Sequence, residues 1–247
     1  MVRHLGPQPL LIDVGANAGQ SALCMAMLRP DARIISFEAN ADNVKELGFI
    51  RRILGKRYAY HHVGLSDRNG SATLTVPVIG RHPVPGESSL LREFDSDIEE
   101  RIGTISEVVT QEVILKTFDS FGLQPAFVKI DVQGHKLQVL RGMEATIVAC
   151  RPVLMIENNS ALHDIRCYMA SLGYMLCNYD QQRDLLTACD LPRGENYFAV
   201  PRDHETLIST DMPDRERQGG ESLPHPHPAK DPPPVLFSTM PVPDQWT

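Results

Sequence analysis

Short apolar runs alternate with amphipathic stretches along most of the chain, and this alternation restricts what it can fold into more than any other feature. Strand-like runs are read at 10–14, 33–38, 58–63, 72–76, 113–117, 126–132, 153–157, 174–178 and 196–200. Helix-like stretches fall between several of them, at 20–28, 41–54, 135–149 and 161–172. In the third of these, Leu137, Leu140, Ile147 and Val148 recur near helical spacing, while Lys136, Gln138, Arg141 and Glu144 can face water. Strands without polar alternation, separated by amphipathic helices, predict a parallel sheet covered on both faces. No internal repeat is visible.

In such sheets ligands bind beyond the carboxyl ends of the strands. Those ends are acidic here. The first strand, in "LLIDVGANAGQ", carries Asp13 and runs into the turn Gly15-Ala16-Asn17-Ala18-Gly19. The second ends in Glu38, the third leads into Gly64-Leu65-Ser66-Asp67, and a later one ends in Asp131 before Gln133-Gly134-His135. A dinucleotide site needs G-x-G-x-x-G around a pyrophosphate. In this chain Asn17 replaces the middle glycine, Gln20 holds the third position, and the Asp13 carboxylate would repel phosphate. S-adenosylmethionine carries a sulfonium, an ammonium and a carboxylate but no phosphate, so an acid beside the loop suits it. Glu38 lies about twenty residues past the loop, where a carboxylate can accept from both hydroxyls of a ribose diol.

Composition narrows the alternatives. A net charge of -7 argues against a general nucleic-acid binder, and the longest clean apolar run, 22–28, is far short of a membrane span. The start, "MVRHLGPQP", lacks the apolar core of a signal peptide, so a cytoplasmic protein is the expectation. The five cysteines include no pair at metal or redox spacing and read as small core residues. Residues 201–247 hold ten of the nineteen prolines and few spaced apolar residues, which predicts a disordered tail behind a domain spanning 1–200. His204, His225 and His227 in that tail have no second ligand cluster beside them, and no metal is expected. "EFDSDIEERIG" reads as a solvated helix.

The stretches "LLIDVGANAGQ", "ISFEAN", "VGLSDRNGSATL", "SSL", "LKTFDSFG", "FVKIDVQGHKLQVLRGM" and "PVLMIEN" appear in the order seen in the FkbM family of S-adenosylmethionine-dependent methyltransferases, which the chain resembles from Leu10 to Val200. The resemblance implies a class I (Rossmann-like) methyltransferase fold with a mostly parallel seven-stranded sheet, and O-methylation of a hydroxyl on a sugar, other glycan or polyketide-type small molecule. It places Asp13, Gly15, Asn17 and Gly19 in the cofactor loop and Glu38 at the ribose; Ala39, Leu65 and Ser66, just past the second and third strand ends, are expected to bind the cofactor as well. Ser88, Ser89 and Glu157 are the candidates for contact with the acceptor. The chain departs from the family at Gln133 and Lys136, where acids are usual, and at Ala39, where a proline is common. The family also often has more chain ahead of the first strand than the nine residues here, so a lid or a partner is expected from elsewhere.

Asp131 and His135 are left as the titratable candidates near the acceptor. His135 has the ordinary pKa of a base, the alternative being that it only opens the following helix. Asp131 orients it, acts directly, or caps the helix. Lys129 reads as a partner that neutralises buried acids, and Glu157 as an acceptor contact or a loop cap. Two other classes stay open: a nicotinamide-dependent oxidoreductase, and a catalytically silent domain that keeps the cofactor fold.

Overall fold

The apolar run Leu10–Val14 forms strand β1 at the centre of a nine-stranded sheet. The structure, a computed structural model, describes residues 2, 5–90, 98–158, 161–204 and 208–209. After β1 come α1 (Gln20–Leu28), β2 (Arg33–Glu38), α2 (Val44–Leu54), β3 (Tyr58–His62), β4 (Gly64–Leu65), β5 (Gly70–Ile79), β6 (His82–Pro83), α3 (Ile98–Ile102) and β7 (Glu107–Lys116). There follow β8 (Phe127–Ile130), α4 (Lys136–Arg141), α5 (Glu144–Cys150), β9 (Val153–Glu157), α6 (Leu162–Ser171), β10 (Tyr174–Asp180), β11 (Leu185–Ala188), β12 (Asn196–Pro201) and β13 (Ile208–Ser209).

The main sheet runs β3-β2-β1-β8-β9-β12-β10-β11-β13. The five strands from β3 to β9 are mutually parallel, whereas β12 is antiparallel to both β9 and β10. Its two faces are both packed, which is why β1 shows no polar alternation. Ile12 and Val14 lie in a core with Leu140 of α4, Ile147 of α5 and Met169 of α6, while Leu11 joins Met25 of α1 and Ile50 of α2 on the other side.

Three expectations are corrected. The sheet has nine strands, not seven, because β11 and β13 extend it beyond β10. The runs expected at 72–76 and 113–117 do not join it; they belong to β5 and β7, which pair antiparallel from Gly70↔Leu115 to Val78↔Glu107 in a separate four-stranded sheet, β4-β7-β5-β6. One face of that sheet carries a buried apolar cluster, with Leu74, Val76, Val113 and Leu115 packed against Ala39 and Leu90. The helix read at 135–149 is two helices, broken at Gly142. A Cβ there would lie 1.9 Å from the Ser66 carbonyl oxygen, so the chain turns where it touches the loop after β4.

The described residues all fall within Met1–Met212. The sheet takes in residues just past position 200, and the proline-rich segment from 210 onward lies outside the described residues. Of the expected solvated helix at 93–103, α3 covers 98–102 and positions 93–97 lie outside them.

Candidate active site

At the carboxyl ends of β1, β2 and β8 lies a cavity open to solvent. Its floor is the glycine turn and the β2 and β8 ends; its roof is Leu74 of β5 with the turn Pro85–Glu87 and Ser88. The second sheet therefore closes a site that the first one opens.

The floor is set by main-chain contacts. The amides of Gly15 and Ala16 both donate to the Phe37 carbonyl, at 2.9 and 3.2 Å, which folds the turn back over β2. Gly15 has φ 74°, and a Cβ there would lie 1.9 Å from the Asp131 carbonyl oxygen, so only glycine lets the turn lie against the end of β8. The Asn17 amide then donates to Glu38 Oε2 at 2.7 Å, and the Asn40 amide to Oε1 at 2.8 Å. Glu38 thus lines the cavity with one N–H on each oxygen and lone pairs to spare. Burial raises its pKa, against the pull of those two amides.

Asn40 is fully buried and ties this acid to the roof. Its Nδ2 donates to Ser88 Oγ at 2.9 Å, and its Oδ1 accepts from the Asp42 amide and from Gln111 Nε2 of β7. Ser88 Oγ donates in turn to the Pro85 carbonyl at 2.5 Å.

Asp13 does not reach the cavity. It is completely buried one residue below, and neither carboxylate oxygen has a hydrogen-bond partner among the described residues. Burial raises its pKa to about 6, although Lys129 Nζ, 3.8 Å away, pulls the other way. Gly19 also lies off the cavity, packed beneath Ile50 and Leu47 of α2.

On the β8 side, Lys129 Nζ lies 2.9 Å from Asp131 Oδ2, so one ammonium serves two acids. Asp131 lines the cavity, as do Gln133 and His135. Glu157 does not; its Oε2 accepts from Lys136 Nζ at 2.6 Å, and that ammonium is wholly buried. Burial raises the Glu157 carboxyl despite Lys136, and the neighbouring Asp131 pushes the same way. His135 Nε2 lies 3.0 Å from Ser66 Oγ, and burial lowers the imidazole pKa.

The structure accordingly gathers Gly15, Asn17, Glu38, Ala39, Leu65, Ser88, Asp131 and His135 around one cavity. It leaves Asp13, Gly19, Ser66, Ser89 and Glu157 behind its walls, with Ser66 touching His135 and Ser89 paired to Thr75 and bridged to Gln133. Sequence reasoning passed over Asn40 and the Pro85-Gly86 turn. The one available sign for Asn40 was its place two residues after the strand-end acid.

A family model described as the methyltransferase FkbM domain matches residues 13–176. Among solved structures, the methyltransferase FkbM from Methylobacillus flagellatus KT is 18% identical, with a TM-score of 0.52 over 78% of this chain and 43% of that one. The precorrin-6y C5,15-methyltransferase from Geobacter metallireducens GS-15 is 10% identical, with a TM-score of 0.41 over 81% of each chain. At these identities the likeness to the Methylobacillus protein is one of fold, and the present chain spans less than half of its length. No curated protein matches the sequence.

Proposed function

The chain belongs to the FkbM family of methyltransferases, and from that premise we propose that it methylates a hydroxyl oxygen on a sugar or polyketide-type small molecule. The observation that carries this reading is the cavity itself. Glu38 and the Gly15 turn form one side of it, Asp131 and His135 the other, and no lysine or arginine lines it among the described residues. A turn with Asn17 and Gln20 where a dinucleotide fingerprint needs glycines suits the family's cofactor, S-adenosylmethionine, which has no phosphate, better than a dinucleotide.

The residues present fit that group. Glu38 has unused acceptor capacity for a ribose diol, the Gly15 turn presents main chain without a side chain, and Ala39, Val63 and Leu65 offer apolar surface. S-adenosylmethionine, when bound, supplies a methyl group already activated for transfer. The chain's own work is alignment, an effect worth about 7–11 kcal/mol in favourable cases, and removal of the acceptor proton. His135 is suited to take that proton, since burial keeps the imidazole neutral at neutral pH. Asp131, anchored by Lys129, orients the acceptor or the developing imidazolium. Ser88 projects from the roof and contacts the acceptor in this reading.

Among the described residues no helix is long and apolar enough to cross a membrane. The deciding experiment is a screen of hydroxylated small molecules with a labelled methyl donor, with mass spectrometry of the products. A product carrying one added methyl on oxygen supports the reading. Cofactor binding without transfer to any hydroxylated acceptor would favour a silent binding domain.

A further inference from the structure

We infer that Ser66 and Asp67 are positioning residues that hold His135 as its Nε2–H tautomer, leaving Nδ1 as the bare nitrogen available to an acceptor. The catalytic side of this inference rests on His135 being the base; the tautomer lock stands on its own.

The argument is one of proton counting. Ser66 Oγ lies 3.2 Å from Asp67 Oδ1 and 3.0 Å from His135 Nε2. An ionised carboxylate only accepts, so the bond to Asp67 consumes the single hydroxyl proton of Ser66. Toward His135 the same oxygen has only lone pairs to offer. Nε2 must therefore carry the hydrogen, and the neutral ring has its lone pair on Nδ1. No hydrogen-bond partner holds Nδ1 among the described residues.

The hydroxyl is well fixed for this task. Ser66 is 2% exposed, and its amide donates to the Lys116 carbonyl at 2.9 Å. Its own carbonyl is pressed against Gly142, at the break between α4 and α5. The loop after β4 is thus clamped by β7 on one side and by the helix pair on the other. His135 opens α4 at φ -120°, outside helical geometry, so its ring direction is not set by the helix and needs an external anchor. With Nε2 turned to Ser66 behind the wall, the nitrogen left to meet a ligand in the cavity is Nδ1. The Asp67 charge also favours the imidazolium, opposing burial, and Arg68 acts in the reverse sense.

The test is nitrogen NMR of the full chain labelled in its histidine rings, without cofactor or acceptor, at a pH where the rings are neutral. The His135 signals are assigned by their loss in His135→Gln. The wild type is expected to show a single Nε2–H form. Asp67→Ala frees the Ser66 proton to be donated to Nε2 and shifts His135 toward Nδ1–H. Asp67→Asn, whose side-chain oxygen still accepts, retains Nε2–H. Asp67 is exposed, so both variants are expected to fold, and Ser66→Ala should give a mixture of tautomers. An Nδ1–H ring in the wild type, or an unchanged tautomer in Asp67→Ala, overturns the inference. Since no methyl donor is present, failure of His135→Ala to slow methyl transfer would count against the base assignment alone.

Discussion

Lys136 Nζ donates to Glu157 Oε2 at 2.6 Å with its ammonium wholly removed from water, while Glu157 keeps part of its surface exposed. The pair closes the end of β9 behind the cavity wall, beside Asp131. Replacing Lys136 by Met leaves Glu157 without its cation and next to another acid. Breaking a fully buried pair costs about 3–5 kcal/mol, and the exposure of Glu157 reduces this to about 2. Thermal unfolding of Lys136→Met should show a midpoint lower by roughly 4–8 °C, largely recovered in Lys136→Met with Glu157→Gln. An unchanged midpoint in the single variant would mean the pair contributes nothing.

Glu38→Ala should weaken S-adenosylmethionine binding by about 2–4 kcal/mol, the loss of charge-assisted hydrogen bonds to a diol. It should also destabilise the protein without ligand by about 1–3 kcal/mol, because the amides of Asn17 and Asn40 lose their acceptors. Calorimetry and denaturant unfolding read the two effects separately. Affinity equal to that of the wild type would remove Glu38 from the cofactor site.

Asp13 gives a pH signature of stability. Its folded pKa, about 6, lies above the ordinary aspartate value of 3.8, so the folded state holds the proton more tightly than the unfolded state. That stabilisation is complete below the unfolded pKa and is lost as pH rises through about 6, a swing of roughly 3 kcal/mol. Asp13→Asn cannot ionise, so its advantage over the wild type should grow between pH 4 and pH 7 and then level off. A constant difference between the two across that range would contradict the shift.

If His135 is the base, methyl transfer at saturating acceptor should fall as pH drops through an imidazole pKa below the ordinary 6.5. That acid limb should vanish in His135→Ala, with a rate loss of about 10²–10⁴. Asp131→Asn should slow transfer while changing cofactor affinity less than Glu38→Ala does. Wild-type rates in both variants on the true acceptor would move the search to Ser88 and the roof.

A chain ending at Met212 should keep the circular dichroism, thermal midpoint and cofactor affinity of the full chain. The segment it removes has the proline density and sparse apolar spacing of a chain that cannot repay its ordering entropy. A midpoint lower by many degrees would show that its apolar stretch "VLFSTM" docks on the domain.

The central strands were legible because burial on both faces leaves an uninterrupted apolar run: β1, β2 and β9 begin and end where the residues change character. Two-residue strands such as β4, β6 and β13 carry no such signal, since pairing rather than composition defines them. β5 and β7 are each ten residues long, but only 72–76 and 113–117 read as strand, because Pro77 interrupts the first and the polar run Thr110-Gln111-Glu112 the second. The break at Gly142 depends on Ser66, far away in sequence, and no local pattern announces it. The same limit applies to the site. Strand ends locate Asp13, Asp131 and Glu157 along the chain, whereas the face each side chain takes is set by strand register and by partners such as Lys129 and Lys136.

The approach of Gly15 to the Asp131 carbonyl joins the two halves of the cavity floor through backbone alone. In the function proposed above, the span from cofactor to acceptor is therefore a dimension of the scaffold, set by main chain rather than by the side chains that decorate it. In that reading a wall residue outside the proposed chemistry, such as Gln133, can be exchanged to admit a different acceptor without retuning that span. At position 15 any side chain would wedge the floor apart and alter the reach for every acceptor at once, which makes this glycine a fixed ruler in an otherwise adaptable site.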